Sequence, residues 1–335
     1  MITAARPQVL IARAVFPEVV DKLRQHFEVE ANAADDIWPR EELIRRLQGK
    51  QGVFTTGGER IDAELLAACP GLKICANMAV GYNNFDVPAM TAAGVLATNA
   101  PGVLTETTAD MGVALLMAAA RRVAEGEHYL RARKWDRWAY DMLIGQDVHG
   151  STLGIFGMGR IGQAIARRGA LGFGMKVLYH NRTRLPADEE AAVGARYVSK
   201  EELLRTADHV VLVVPYSAES HHTIGAAELA LMKPTATLVN IARGGIVDDA
   251  ALARALREGR IAAAGLDVFE GEPKVHPDLL TVPNVVLTPH IGSATVPTRK
   301  AMANLAADNL IGYLTRGEPV TPLNPQVITA PQPVR

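Results

Sequence analysis

The sequence has only two cysteines, Cys69 and Cys75, among 335 residues. Two thiols are too few for a disulfide framework or a zinc site, and both read as core residues of a chain kept in a reducing compartment. Aromatic residues are scarce at 5%. Neither sign of charge dominates, since 35 Lys and Arg stand against 36 Asp and Glu, so no overall field draws the chain to nucleic acid or to an anionic membrane. Long apolar runs are missing too: the longest, Met111 to Ala120, is well short of the ~20 residues a membrane span needs. Near the start, Arg6, Pro7 and Arg13 interrupt the one apolar run, which does not give a signal-peptide layout. A cytoplasmic location is the expectation.

What is present is an Ala/Val/Leu-rich composition, 48% hydrophobic and 21% charged, the profile of an α/β globular protein. The length exceeds the roughly 250 residues at which a single core stops growing, so two domains are expected. Strand candidates VLIAR (9–13), VFTTG (53–57), LKICANM (72–78) and VLATNA (95–100) alternate with helical stretches, as βαβ units of a parallel sheet do. A break is expected near Ala100. The run 105–123 is apolar on nearly every side and predicts a buried helix. Residues 126–150 carry Trp135, Trp138 and Tyr140 without a clean period, and read as a helix followed by an irregular excursion.

From Ser151 a second block offers six strands: TLGIFG, MKVLYH, HVVLVVP, TLVNIA, IAAAGLDV and NVVLTPH. After His290 one helix repeats Met302, Leu305, Ala306, Leu310, Tyr313 and Leu314 at helical spacing, with no strand of its own to cover. The simplest arrangement returns it to the first domain, with the Pro-rich end as a strap or loose tail. The expected fold is therefore α/β with two doubly wound parallel-sheet domains. A Rossmann coenzyme domain (101–290) is inserted in a discontinuous, flavodoxin-like substrate domain (1–100 and 291–335).

LGIFGMGRIGQAIARR places Gly157, Gly159 and Gly162 in a G-x-G-x-x-G directly after a strand and at the opening of a helix. The first glycine permits a tight turn, the second lets backbone approach a pyrophosphate, and the third lets helix pack on strand; the helix N-terminus then offers N–H groups to the phosphates. Such folds usually place an acid about 20 residues further on, where it accepts from a free ribose 2′-hydroxyl. This chain has Asn181-Arg182-Thr183-Arg184 there. Arg182 and Arg184 can bind a 2′-phosphate, with Asn181 and Thr183 as neutral donors, which points to NADP(H), with NAD(H) bound more weakly. The bland alternative is a solvated basic loop.

Ligands of open α/β sheets gather beyond the carboxyl ends of the strands. There TLVNIARGG ends in Arg243, IAAAGLDVFEGEP supplies Asp267 and Glu272, and NVVLTPHIGS ends in His290. Cation, carboxylate and imidazole suit hydride transfer between a nicotinamide and a 2-oxo or 2-hydroxy acid: His290 as general acid, Glu272 holding the imidazole, Arg243 binding the carboxylate and polarising the carbonyl. Taken singly, each is more often a structural His, a turn Arg or a loop Glu; together they are hard to dismiss. Asp267 is expected on the nicotinamide side. In the first block, Val80 and Gly81 lie in a loop whose N–H groups could bind a carboxylate, or in a plain turn. No metal-ligand spacing appears among the nine histidines, the pair His221-His222 included.

NMAVGYNNFDV, GVLTETTADMGVALLMAAARR, LGIFGMGRIGQAIARR, LVNIARGGIVDDAALARAL, AAGLDVFEGEP and TPHIGSAT, in this order and spacing, resemble the D-isomer-specific 2-hydroxyacid dehydrogenases over nearly the whole chain. Within that family the chain is most similar to the B-type glyoxylate/hydroxypyruvate reductases, also called 2-ketogluconate reductases. The resemblance implies an NADP-preferring coenzyme domain and a catalytic set on Arg243, Glu272 and His290. It also implies substrate contact by Val80 and Gly81, and cofactor contact by Arg160, Ile161, Pro215, Ile241 and Asp267. Small 2-oxo acids are the implied substrates, and a homodimer joined through coenzyme domains the implied assembly, with Trp138 a candidate to border the partner's active site. A different class remains open: a dinucleotide-sensing binding protein of the corepressor type, which keeps the same fold.

Overall fold

The computed structural model describes residues 6–328. Its contacts divide the chain into two compact units, one running to Leu104 and resuming at Thr295, the other spanning Thr105–Ala294; the expected breaks lay after residues 100 and 290.

The first unit contains β1 (Gln8–Ile11), α1 (Pro17–Arg24), β2 (Glu28–Ala31), α2 (Arg40–Leu47), β3 (Gly52–Thr55), α3 (Ala63–Ala68), β4 (Ile74–Asn77), α4 (Val87–Ala92) and β5 (Leu96–Thr98). The strands form one parallel sheet in the order β2-β1-β3-β4-β5, the flavodoxin-like doubly wound order. The second unit begins with α5 (Thr105–Ala120) and α6 (Val123–Arg131), then β6 (Thr152–Phe156), α7 (Arg160–Arg167), β7 (Lys176–His180), α8 (Ala187–Ala192) and β8 (Ala195–Tyr197). It continues with α9 (Lys200–Thr206), β9 (His209–Leu212), α10 (Ala226–Leu231), β10 (Thr237–Asn240), α11 (Asp249–Arg257), β11 (Ala263–Leu266) and β12 (Val285–Leu287). Its parallel sheet has the order β12-β11-β10-β9-β6-β7-β8, which is the Rossmann order with one strand added beyond β11.

Two strands were not expected from the sequence, β2 and β8. Both are sheet edges, where only one neighbour and part of one face need covering, and their sequences EVEA and ARY are half-buried or exposed. The central strands β9, β10 and β11 are buried at every position, as strands covered on both faces must be, and so they read as continuous apolar runs.

Helix α5 stops at Ala120, three residues short of the expected end, because Arg122 takes the left-handed conformation (φ 53°) before α6 begins. It packs on α7, β10 and β11, and small residues let it come close. A Cβ on Gly112 would stand 2.9 Å from Ile241 and 3.1 Å from Ile165, and one on Gly265 would stand 3.0 Å from the Leu115 Cβ. After α6, residues 132–151 contain no helix or strand.

The returning helix, α12 (Val296–Arg316), packs on α1, β3 and β4 of the first unit. Gly52 on β3 leaves room for it, since a Cβ there would lie 2.9 Å from Leu310. The chain beyond it is a strap up to Ile328: buried Asn324 accepts from the Ala97 amide (2.8 Å) and donates to Thr91 and to the Val95 carbonyl (3.0 Å each). The expected loose end beyond it, 329–335, lies outside the described residues. Among the described residues no helix is long and apolar enough to cross a membrane.

Candidate active site

Because the strands of the second unit all run parallel, their carboxyl ends share one edge of the sheet. The residues that follow those ends are therefore neighbours in space while far apart in sequence.

At the end of β6, Gly157 has φ 97°, and a Cβ on it would stand 2.7 Å from the Val213 backbone. Gly162 allows none either, since its Cβ would meet the Gly157 carbonyl oxygen at 2.2 Å. Gly159 differs: no heavy atom lies within 4 Å of where its Cβ would be. It is the N-cap of α7 and has no side chain to cap the first-turn N–H groups, which leaves these donors without a side-chain cap. An anion at a helix N-terminus fits that arrangement. Arg160 is exposed, Ile161 half-buried, Ile241 buried in the core of this unit, and Pro215 exposed.

The loop after β7 is more constrained than its composition suggests. Asn181 Oδ1 accepts from the Met158 amide at 2.7 Å, tying the loop to the glycine-rich turn. Arg184 does not point free into solvent: its guanidinium grips Glu190 in a fork, Nε to Oε1 at 2.8 Å and Nη2 to Oε2 at 2.7 Å. Buried Tyr179 donates to the same carboxylate at 2.6 Å and accepts from the Leu185 amide. The sequence-based expectation gave Arg182 and Arg184 equal roles, but the structure commits two donors of Arg184 to a carboxylate six residues on. Arg182 and Thr183 are exposed.

At the end of β10, Asn240 closes the turn, donating to the Arg243 carbonyl (3.1 Å) and accepting from the Ala242 amide (3.0 Å). Arg243 is half-buried and donates to the Ala242 carbonyl at 2.7 Å. Burial lowers its pKa from the ordinary value, and the Glu272 carboxylate opposes that shift; the group remains a cation. Gly244 is needed because a Cβ would collide with the Phe269 carbonyl, so the β10 and β11 connections lie backbone to backbone.

Glu272 accepts from the Phe269 amide through Oε1 (2.9 Å) and meets His290 Nδ1 through Oε2 at 2.8 Å. Burial alone would raise its pKa; the bond to His290, the Phe269 N–H and the charges of His290 and Arg243 outweigh this and hold it below the ordinary carboxylate value. A carboxylate on Nδ1 makes that nitrogen the N–H donor and leaves Nε2 for a reacting group. His290 itself has φ 53°, a left-handed conformation uncommon outside glycine and typical of sites held by their surroundings.

What holds it is Asp267. This buried carboxylate accepts from Thr288 Oγ1 (2.7 Å) and the Ile291 amide (2.8 Å) through Oδ1, and from the Gly292 amide (2.7 Å) through Oδ2. The sequence-based expectation placed Asp267 near the nicotinamide and missed this clamp, as it missed Asn240 and Asp249, whose carboxylate receives the Glu270 amide at 3.0 Å. No local pattern announces such contacts. The structure also brings His222 Nε2 to 2.9 Å from Glu270 Oε2, a setting for the His221-His222 pair that sequence spacing does not reveal.

In the first unit, Val80 and Gly81 follow β4 with their carbonyls held by side chains, Asn99 Nδ2 to Val80 (2.7 Å) and Asn77 Nδ2 to Gly81 (3.0 Å).

Residues 113–292 match the family profile described as D-isomer specific 2-hydroxyacid dehydrogenase, NAD binding domain. A glyoxylate reductase of Thermococcus onnurineus is 49% identical over 98% of this chain and 99% of its own length. The chain belongs to the D-isomer specific 2-hydroxyacid dehydrogenase family. Solved structures similar to this chain include the TT0316 protein of Thermus thermophilus, with a TM-score of 0.87 at 43% identity, covering 94% of this chain and 99% of that one. The NADPH-dependent glyoxylate/hydroxypyruvate reductase of Sinorhizobium meliloti, solved with NADP and malonate, has a TM-score of 0.85 at 35% identity, covering 98% of this chain and all of that one. In this 2-hydroxyacid dehydrogenase the imidazole, the carboxylate and the guanidinium thus stand at the carboxyl edge of an NAD-binding type of sheet.

The Arg184–Glu190–Tyr179 cluster has a measurable consequence. Arg184 and Tyr179 hold the Glu190 carboxyl down from its ordinary 4.5 to about 2, so the stability this group adds is complete above 4.5 and fades as pH falls toward 2. Glu190→Gln is expected to flatten that acid limb in urea midpoints measured against pH, with variant and parent converging near pH 2; parallel curves would show that the carboxylate is not coupled to folding.

Proposed function

We propose that the protein is an NADPH-dependent reductase of small 2-oxo acids, glyoxylate first, with hydroxypyruvate and 2-keto-D-gluconate in the same substrate class, giving D-2-hydroxy acids. The observation that carries this reading is the 2.8 Å contact between His290 Nδ1 and Glu272 on the rim that also bears Arg243. The names of the relatives supply the substrate class, as glyoxylate reductases. When bound, the nicotinamide supplies or accepts the hydride.

The chain's own residues do the rest. His290 gives a proton from Nε2 to the carbonyl oxygen as that oxygen gains negative charge. Glu272 keeps the ring oriented through the bond at Nδ1. Arg243 binds the substrate carboxylate and polarises the carbonyl with a fixed planar cation. Val80 and Gly81 offer backbone N–H groups to a substrate carboxylate. Asp267 keeps one of about four carboxylate lone-pair positions unused by its clamp, and contacts the nicotinamide side through it.

Gly157, Gly159, Arg160, Ile161 and Gly162 hold the pyrophosphate, with Pro215 and Ile241 lining the same coenzyme. The absence of an acid at 181–184 favours NADP(H), with NAD(H) accepted at lower affinity. Arg182 makes the main contact to the 2′-phosphate, Thr183 and the Asn181 amide add donors, and Arg184, anchored on Glu190, shapes the loop and lends charge. A protein that only senses the dinucleotide would bind NADPH without turnover on glyoxylate.

The assembly in this reading is a homodimer joined through the second unit. Six large apolar side chains between Val123 and Ile144 are solvent-exposed, among them Trp138 at 77% and Tyr140 at 83%. Exposed apolar groups at this density mark association surfaces, and in this reading Trp138 borders the partner's site.

Arg182→Ala is expected to raise KM for NADPH by roughly tenfold or more, the worth of a charge-assisted hydrogen bond, with little change for NADH; equal effects on both coenzymes would sink the 2′-phosphate assignment. His290→Ala is expected to lower kcat for glyoxylate reduction by about 10²–10⁴-fold with the unfolding midpoint unchanged. Glu272→Gln is expected to retain some activity at a kcat below the parent's, because His290 Nδ1 loses its carboxylate acceptor; a kcat equal to the parent's would remove Glu272 from the proton transfer. Sedimentation at twice the 35.9 kDa chain mass is expected, and a concentration-independent monomer would refute the dimer.

A further inference from the structure

Outside the catalytic rim, one cluster of metal-ligating side chains stands out in the second unit. His221 and His222 lie on the connection from β9 to α10, and Glu270 on the connection from β11 to β12. Each offers one ligand atom, and the three atoms all lie within 4.8 Å of one another.

The backbone builds this cluster actively. Consecutive side chains of an extended segment point to opposite sides. His222 instead has φ 49°, a left-handed conformation that non-glycine residues adopt only where their surroundings enforce it. Its amide donates to the Gly245 carbonyl at 2.7 Å, and Ile224 pairs with Val247 just beyond, so the turn is fastened to the Arg243-Gly244-Gly245 loop. The result is two imidazoles on one side, stacked with ring centres 3.8 Å apart and planes 22° apart. His222 Nε2 reaches Glu270 Oε2 at 2.9 Å.

An outer contact is present as well: the Tyr216 hydroxyl lies 3.2 Å from His221 Nδ1. The Glu270 backbone is fixed too, its amide bonded to the buried Asp249 carboxylate.

We propose that His221, His222 and Glu270 form a binding site for one divalent transition-metal ion, with two imidazole nitrogens and one carboxylate oxygen as protein ligands and water completing the shell. Imidazole with carboxylate suits zinc, cobalt, nickel or copper(II) better than magnesium or calcium, which take oxygen donors. Metal bonds of about 2.0–2.1 Å at tetrahedral angles set neighbouring donors about 3.3 Å apart. The His222–Glu270 pair needs to open by only a few tenths of an ångström from 2.9 Å; imidazole lone pairs lie in the ring plane, so the exposed His221 ring, stacked on His222, has to turn out of the stack to face the same ion. Bound there, the ion ties the β9 connection to the strand end carrying Glu270-Gly271-Glu272, two residues from the carboxylate that holds His290.

The test uses the full chain without any histidine tag. Titration with cobalt(II) is read by visible d–d absorbance, titration with zinc by calorimetry, and each metal's effect on the unfolding temperature by thermal melts. One equivalent is expected to bind with a rise in melting temperature. His222→Ala and, separately, Glu270→Gln are expected to weaken binding by at least tenfold while melting like the parent without metal. Glu270→Gln leaves both imidazoles in place, so it reports on the cluster even where the histidine variant alters the turn. Binding in both variants equal to the parent's, or no stoichiometric binding by the parent, overturns the site. Magnesium in place of zinc is expected to bind weakly, and equal affinity for the two would also overturn it.

Discussion

The carboxylate of Asp267 is the small constraint on which the geometry of the candidate site depends. It sits at the end of β11 and receives three hydrogen bonds from the segment that follows β12. Those bonds hold His290 in a backbone conformation it would not choose alone, with its ring against Glu272. A clamp of backbone amides and one hydroxyl on a buried carboxylate is hard to break in parts, because releasing any donor leaves an unsatisfied polar group in a buried place. The rim is thus assembled by contacts among strand ends more than by the candidate site's own side chains.

A second device works at the other end of the same rim. The glycine-rich turn is closed by its own sterics at Gly157 and Gly162, while Gly159 opens outward. Asn181 then ties the next strand's loop to that turn, and Glu190 gathers Arg184 and Tyr179 behind it. Basic character at this loop therefore divides into two tasks. Both arginines are exposed, but Arg184 is paired with the Glu190 carboxylate, whereas in the proposed reading Arg182 makes the contact to an anion. Composition alone cannot tell them apart, since the partner carboxylate lies in the following helix and its approach depends on the turn between.

Legibility in the sequence followed burial. The strands buried on both faces read as apolar runs, and the glycines of the nucleotide turn read by their spacing. Arg243 and Glu272 stood out because each follows such a run, and His290 because it follows the apolar stretch of β12, a half-buried edge strand. The half-covered edge strands β2 and β8 did not read at all, because a three- or four-residue segment with one exposed face carries no pattern distinct from a loop. The end of α5 was misplaced because the left-handed turn at Arg122 has no residue-type signature; a glycine would have announced it. The contact between His222 and Glu270 was invisible for the same reason as the Asp267 clamp: its partners are joined by topology and separated by tens of residues.

By itself the sequence determined the α/β class, the parallel sheets, the dinucleotide turn and the chemical types available at the strand ends. These follow from local rules: apolar runs need burial on both faces, and tight turns against backbone need glycine. Tertiary structure alone decided which of those groups meet. Parallel strands bring their carboxyl ends to one edge whatever their separation along the chain, and hydrogen bonds between those ends fix which side chain faces another, which is pinned to a structural partner, and which is left to act.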